Sequence, residues 1–146
     1  MKIRKATLKD IKEITKIFRI ESAKQPYNEK WAEKTALQKM KEYVKLKNDI
    51  YVAEKNREVV GFMILKNNLT GSGAKIYLDQ LFVNSKSQGL GIGSDLINYA
   101  VKYCKKKKRV ALCLVSSNKS KAFKFYKKRK FIQMEKDFIY MEKKIR

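Results

Sequence analysis

The chain contains no histidine, one proline, two cysteines and only 14 Asp or Glu side chains among 146 residues. Without an imidazole, any general base has to be a carboxylate, a tyrosine or an ordered water. Cys104 and Cys113 follow no metal-ligand spacing and make no disulfide framework, so they read as small buried apolar residues of a reduced, cytoplasmic protein. The longest apolar run, Val59 to Leu65, is seven residues, far short of a membrane span. The N-terminal Met1-Lys2-Ile3-Arg4-Lys5 carries no apolar signal region. No repeat, linker or low-complexity tract divides the chain, so residues 1–146 are expected to form one domain with a proper core.

Glycine is sparse too, yet three of the six fall within five residues, in Ser87-Gln88-Gly89-Leu90-Gly91-Ile92-Gly93-Ser94. A strand-like stretch, Lys75 to Val83, precedes this string, and a helix-like one begins near Ser94. A glycine-rich turn in that order lets bare backbone N–H groups approach a ligand and aims the positive end of a helix dipole at it, which suits phosphate or pyrophosphate. The string is not a P-loop, because Gly93-Ser94-Asp95 lacks the lysine. Nor is it a dinucleotide fingerprint: position 94 is Ser94, and Arg109 stands near where an acidic residue is wanted.

The rest of the chain alternates between strand and helix patterns. Lys2 to Ala6 is a short strand, and Asp10 is placed to cap a helix carrying Ile11, Ile14, Ile17 and Phe18 at helical spacing. Pro26 breaks the pattern. A second helix is expected from Glu29 to Leu46, with Leu37, Met40 and Val44 as its apolar stripe. Asp49–Glu54 and Glu58–Leu65 read as a β-hairpin around Lys55-Asn56-Arg57, followed by a loop from Asn67 to Gly73. Leu96, Ile97, Ala100, Val101 and Cys104 mark the helix after the glycines as amphipathic. A strand over Val110–Ser116, a helix over Lys119–Lys128 and a closing strand or hairpin arm over Phe131–Lys143 complete the order. The result is an α/β domain with a mixed central sheet flanked by helices.

Gln88, Gly91 and Gly93 match the Q/R-x-x-G-x-G/A signature of the GNAT superfamily of N-acetyltransferases, which the chain resembles over nearly its whole length. A second block is similar to the family's: Asn118 ends a strand, and Ala122, Tyr126 and Phe131 fall in register with A-x-x-x-Y and the following G-F. Asn118 stands eight residues before Tyr126, where seven is common in the family, and Lys130 replaces the usual glycine.

The resemblance implies direct transfer of an acetyl group from acetyl-coenzyme A to a primary amine, a protein N-terminus or a small amine. In this reading the backbone of Gly89, Leu90, Gly91, Ile92, Gly93 and Ser94, with Gln88, holds the pyrophosphate. Leu81, Phe82 and Val83 present free strand edge to the pantetheine arm and an amide N–H to the thioester carbonyl. Asn118 holds a pantetheine carbonyl, and Tyr126 protonates the departing thiolate. Asp79 is the candidate base, with Glu54 a distant second. Trp31 and Tyr27 are candidate acceptor-side contacts. A lysine-type amine is only about one part in a few thousand neutral at pH 7, an α-amine about a tenth, so a modest base favours the α-amine.

The net charge of +22 supports a second reading, a basic protein of the same fold that docks on ribosomes or nucleic acid. Yet the 36 cations comprise 30 lysines and six arginines, and the runs Lys105–Arg109 and Lys127–Lys130 sit at helix ends, where the dipole favours lysine. Nucleic acid is therefore not the favoured partner. The same field would repel cationic acceptors such as polyamines. A homodimer is compatible with the sequence.

Overall fold

The computed structural model describes residues 1–137 and 139–145. It divides into two compact units, Met1–Val115 and Ser116–Arg146. The first unit is a five-stranded sheet with helices on both faces. Its strands are β1 (Lys2–Lys5), β2 (Asp49–Lys55), β3 (Glu58–Thr70), β4 (Gly73–Val83) and β5 (Leu112–Cys113), and they lie in that order across the sheet. The first four pair antiparallel, and β4 pairs with β5 in parallel. Three helices accompany them: α1 (Ile11–Ser22), α2 (Glu33–Lys45) and α3 (Ile92–Lys106).

Strand alternation explains the two faces. Ile50, Val52, Phe62 and Ile64 turn to one side, where Ile14, Ile17 and Phe18 of α1 and Ala36, Met40 and Tyr43 of α2 meet them. Tyr51, one residue out of phase, points the other way and packs its ring on Tyr99 and Tyr103 of α3. The buried side of α3 is Ile92, Leu96, Ile97, Ala100 and Cys104, close to the stripe read from the sequence. Every apolar position expected on α1 is buried.

Several expectations need correction. Helix α2 starts at Glu33 rather than Glu29, and its core stripe is Ala36, Met40 and Tyr43, while Val44 is exposed. A tyrosine holds the inner position because its hydroxyl finds polar partners there. The expected Asn67–Gly73 loop is mostly strand: β3 runs on to Thr70 and turns at Gly71-Ser72 into β4. Its residues are polar apart from glycine and the exposed Leu69, in keeping with an end of the hairpin that reaches solvent. Asp10 stands at the N-cap position of α1 as expected, but its side chain makes no capping hydrogen bond there; its carboxylate accepts from the Thr7 backbone N–H at 2.7 Å and pairs with Arg4 instead. Strand β5 is two residues, not seven, and Cys113 is half-buried.

The second unit contains α4 (Lys121–Lys128), capped by Ser120, whose hydroxyl accepts from the Phe123 N–H at 3.1 Å. Among the described residues no strand forms between Phe131 and Lys143; Phe138 lies outside them. Ile132, Met134, Ile139, Tyr140 and Met141 are exposed. Strand propensity there is not realised, because a strand needs a paired neighbour as well as β-favouring residues.

Candidate active site

Strand β4 positions the site. Its pairing with β5 covers only Ile76↔Leu112 and Tyr77↔Cys113, whereas its pairing with β3 continues to Val83. Past Tyr77, β4 therefore carries, among the described residues, a one-sided edge over Leu81, Phe82 and Val83, all half-buried. An unpaired strand edge of this kind is one that an extended ligand can join as an added strand.

A bulge interrupts the β3–β4 ladder: Ile64 pairs with Gln80 and Leu65 with Leu78, so Asp79 is the extra residue. The bulge changes which side chains face where. Leu78 points to the α3 side and Gln80 to the α2 side, and Asp79 joins Gln80 there. The Tyr43 hydroxyl donates to Asp79 Oδ2, while Gln80 Nε2 donates to the Tyr43 oxygen at 3.2 Å. Lys66 Nζ stands 3.5 Å from Asp79 Oδ1 and 5.2 Å from the centre of the Tyr43 ring. Burial first, then the hydrogen bond to Asp79, raise the Tyr43 hydroxyl well above the usual phenol range, so it stays a donor. Asp79, the candidate base, is thus a carboxylate on β4 held by Tyr43 and Lys66. Glu54, the second choice, is taken up by Arg4, which donates to it at 2.7 and 2.9 Å.

Beyond Val83 the chain makes a short 3₁₀ turn, Ser85–Ser87, and then the glycine turn. Gly89 and Gly91 have φ of +77° and +82°, a conformation glycine enters at no steric cost. Neither would bring a Cβ within 4 Å of another atom, so backbone shape rather than crowding requires glycine. Gly91 is the N-cap of α3, which begins at Ile92, two residues earlier than expected. The first backward bond of the helix runs from Asp95 N–H to Gly91 O at 3.0 Å. The preceding N–H groups point along the axis toward the glycine turn, as an anion site requires. The Ile92 side chain is in the core; Gly93 and Ser94 are half-buried, and Leu90 is exposed.

Gln88 behaves differently from its neighbours. Its side-chain amide turns back, donating to Val83 O at 2.9 Å and to Glu21 Oε2 at 3.3 Å. An aromatic row closes this end of the sheet: Trp31 packs on Phe18 at 5.1 Å, Phe18 on Phe82 at 5.8 Å, and Tyr27 on Phe82 at 5.6 Å. Tyr27 is partly exposed, and burial raises its hydroxyl.

In the second unit Asn118 is exposed in the turn before α4. Tyr126 is half-buried, its ring 5.2 Å from Phe125 and 5.4 Å from Phe131. Lys130 takes φ +65° at the position where the family pattern has glycine, and Phe131 N–H reaches back to Tyr126 O at 3.2 Å. The helix thus ends as a glycine would end it, with a lysine in the left-handed region.

Four contributors were not read from the sequence: Tyr43, Gln80, Lys66 and Glu21. Tyr43 carried a usable signal, since it falls three residues after Met40 on the inner stripe, where a tyrosine hydroxyl needs a partner. Glu21 carried another, as an acid in the last turn of a helix, where the dipole disfavours it. Lys66 and Gln80 depend on the bulge, which leaves no signature in the residue pattern.

The sequence matches the Acetyltransferase (GNAT) family over residues 12–131, and the chain belongs to that family. A comparison with curated proteins finds no match. The fold is similar to that of a possible acetyltransferase from Clostridium difficile 630, with a TM-score of 0.85, 17% identity and coverage of 97% of this chain and 96% of that one. It is similar as well to a transcriptional regulator from Bacillus halodurans C-125 (TM-score 0.77, 21% identity, coverage 97% and 99%). A third similar fold is the ribosomal-protein-alanine N-acetyltransferase from Brucella melitensis biovar Abortus 2308 (TM-score 0.77, 16% identity, coverage 97% and 100%). Among the described residues no cluster of potential metal ligands occurs, and no helix is long and apolar enough to cross a membrane.

Proposed function

We propose that this protein transfers the acetyl group of acetyl-coenzyme A to a primary amine. The observation that carries the reading is the continuity of β4 into the turn: a one-sided strand edge to Val83 runs within eight residues into a helix N-terminus opened by Gly91 in the left-handed region. The edge suits an extended amide-containing arm, and the helix start suits a pyrophosphate. Together they fit the two parts of coenzyme A. The family match crosses the boundary at Val115, which supports treating residues 1–146 as one acetyltransferase domain.

Each residue then has a role. Backbone N–H groups from Gly89 to Ser94 hold the pyrophosphate, and Leu81 to Val83 pair with the pantetheine. An amide N–H at Leu81 or Phe82 polarises the thioester carbonyl. Asp79 accepts the proton of the attacking amine, with Tyr43 and Lys66 fixing its orientation. Tyr126 donates to the leaving thiolate, and Asn118 holds a pantetheine carbonyl. Tyr27 and Trp31 stand on the acceptor side. The acceptor best suited to a carboxylate base is an α-amine, either a protein N-terminus or a small molecule; the ribosomal-protein-alanine N-acetyltransferase of similar fold supports the N-terminal option.

The test is a panel of α-amine, ε-amine and peptide N-terminal acceptors with acetyl-coenzyme A, read by thiol release. Binding of acetyl-coenzyme A at a hundredfold excess over Kd is expected to stabilise the fold by about 2.7 kcal/mol. No thermal shift at millimolar acetyl-coenzyme A sinks the reading. Tight tRNA binding that persists at physiological salt, without coenzyme binding, would favour the nucleic-acid alternative instead.

A further inference from the structure

We infer that Glu21 is a positioning residue for the coenzyme loop, clasping residues 85–88 from α1 so that the turn at Gly89 and Gly91 keeps the shape that receives pyrophosphate. The inference rests on the functional reading above and adds a residue that the family signature does not contain.

Glu21 stands where an acid is costly. It lies in the last turn of α1, against the negative end of the helix dipole, and is 7% exposed. Its carboxylate is nevertheless fully used. Oε1 accepts from the Ser85 backbone N–H at 3.1 Å and from the Ser85 hydroxyl at 2.9 Å. Oε2 accepts from Gln88 Nε2 at 3.3 Å, and Lys24 Nζ lies 3.1–3.2 Å from the two oxygens. Lys24 also donates to the Ser85 hydroxyl at 2.7 Å. One carboxylate on α1 thus grips both ends of the short turn that follows β4.

The grip matters because of what comes next. Ser85, Lys86, Gln88, Gly89, Leu90 and Gly91 are exposed, so apolar burial contributes little to holding the loop. Two glycines in the left-handed region add conformational freedom. The Gln88 amide has two N–H groups, and the clasp uses both: one on Glu21, one on Val83 O at the end of β4. Gln88, the first residue of the family signature, is in this chain the hinge pin between helix, strand and loop. Its side chain reaches the ligand only through the backbone it orients.

The experiment is a double-mutant cycle read by calorimetric titration with acetyl-coenzyme A, well below the ligand-free melting temperature. Glu21→Gln keeps the shape and the Ser85 contact but sets an amide N–H₂ against the Gln88 N–H₂ and the Lys24 ammonium. Glu21→Gln and Gln88→Ala are each expected to raise Kd about tenfold, the change that follows when the loop's receiving shape falls to about a tenth of the ligand-free population. The double variant is expected to match either single one, because both break one clasp. The KM for the amine acceptor is expected to stay unchanged in all three, a readout that a merely structural loss would not spare. A wild-type Kd in Glu21→Gln, or effects that multiply to about a hundredfold in the double variant, overturns the inference while leaving the functional reading intact. Failure of the wild-type protein to bind acetyl-coenzyme A overturns both. If Glu21→Gln does not fold, Glu21→Asp withdraws the oxygens by one methylene at constant charge and carries the same expectation.

Discussion

The Tyr43 hydroxyl donates to Asp79, the residue that the β4 bulge leaves without a partner on β3. A buried helix side chain thereby fixes the carboxylate proposed as the base, and Lys66 stands 3.5 Å from its other oxygen. Asp79→Asn is expected to preserve the fold and acetyl-coenzyme A binding while lowering kcat about 10²-fold. Tyr43→Phe leaves Gln80 without its acceptor; it is expected to cost about 1–2 kcal/mol of stability and to lower kcat less than Asp79→Asn does. Steady-state kinetics with one good amine acceptor, beside denaturant unfolding of each variant, decides this. Undiminished turnover in Asp79→Asn would remove Asp79 from the mechanism.

How much of this was legible in the sequence follows from what each feature depends on. The glycine turn, the strand before it and the helix after it are local, and Gly89 and Gly91 stand where the residue pattern placed them. The faces of α1 and α3 followed from helical spacing because each helix buries one stripe. Tyr43 was missed because a period of apolar residues does not count a tyrosine as core, although its ring is buried and its hydroxyl paired. The clasp on Gln88 was missed for a different reason. Glu21 and Gln88 are 67 positions apart, and no local pattern encodes a contact at that range. The strand expected over Phe131–Lys143 failed in the opposite sense: local β-propensity was present, but no ladder forms among the described residues.

Acid unfolding provides a second prediction. Arg4 lies between Asp10 at 2.8 Å and Glu54 at 2.7 Å. Hydrogen bonds from Arg4, against a smaller opposing effect of burial, hold Asp10 at about 2, below its ordinary 3.8. The folded value is depressed, so the associated stability is fully present above the unfolded value and is lost as pH falls from about 4 to 2. The triad is partly open to water, so its contribution is on the order of 1 kcal/mol once screening is allowed for. Denaturant midpoints measured from pH 5 to 2 are expected to fall over this window, and Asp10→Asn is expected to flatten that part of the fall. An identical slope in the variant would assign the acid sensitivity to other carboxylates.

Two left-handed positions make a matched pair of stability predictions. Gly91 has φ +82° and holds glycine; Lys130 has φ +65° and does not. An L-residue in that region costs roughly 1–2 kcal/mol. Gly91→Ala is therefore expected to destabilise by about 1 kcal/mol. A Cβ there meets no protein atom within 4 Å, so a fall in acetyl-coenzyme A affinity beyond that cost marks ligand approach to the turn. Lys130→Gly relieves strain but gives the unfolded chain more freedom, worth about 0.4–1 kcal/mol in the other direction. It is expected to stabilise by about 0.5 kcal/mol. Chemical denaturation resolves the opposite signs, and a destabilised Lys130→Gly would show that the lysine side chain contributes more than its backbone costs.

Tyr126 is where packing and chemistry are to be separated. Its ring contacts Phe125 and Phe131, so part of its role is to hold the end of α4 together. Tyr126→Phe keeps the ring and removes the hydroxyl, so stability is expected to move by less than about 1.5 kcal/mol. Binding of acetyl-coenzyme A is expected to persist, since the proposed pyrophosphate contacts are backbone groups of the glycine turn. A hydroxyl that protonates the departing thiolate acts only as negative charge grows on sulfur. Its loss is therefore expected in kcat, by about 10²-fold, with little change in the Kd for the coenzyme. A tyrosine that merely packs would show the reverse: unchanged kcat with a good acceptor, and any cost confined to the unfolding free energy. Measuring kcat, coenzyme Kd and stability on the same preparation separates the two, and an unchanged kcat would mean that the thiolate leaves without help from Tyr126.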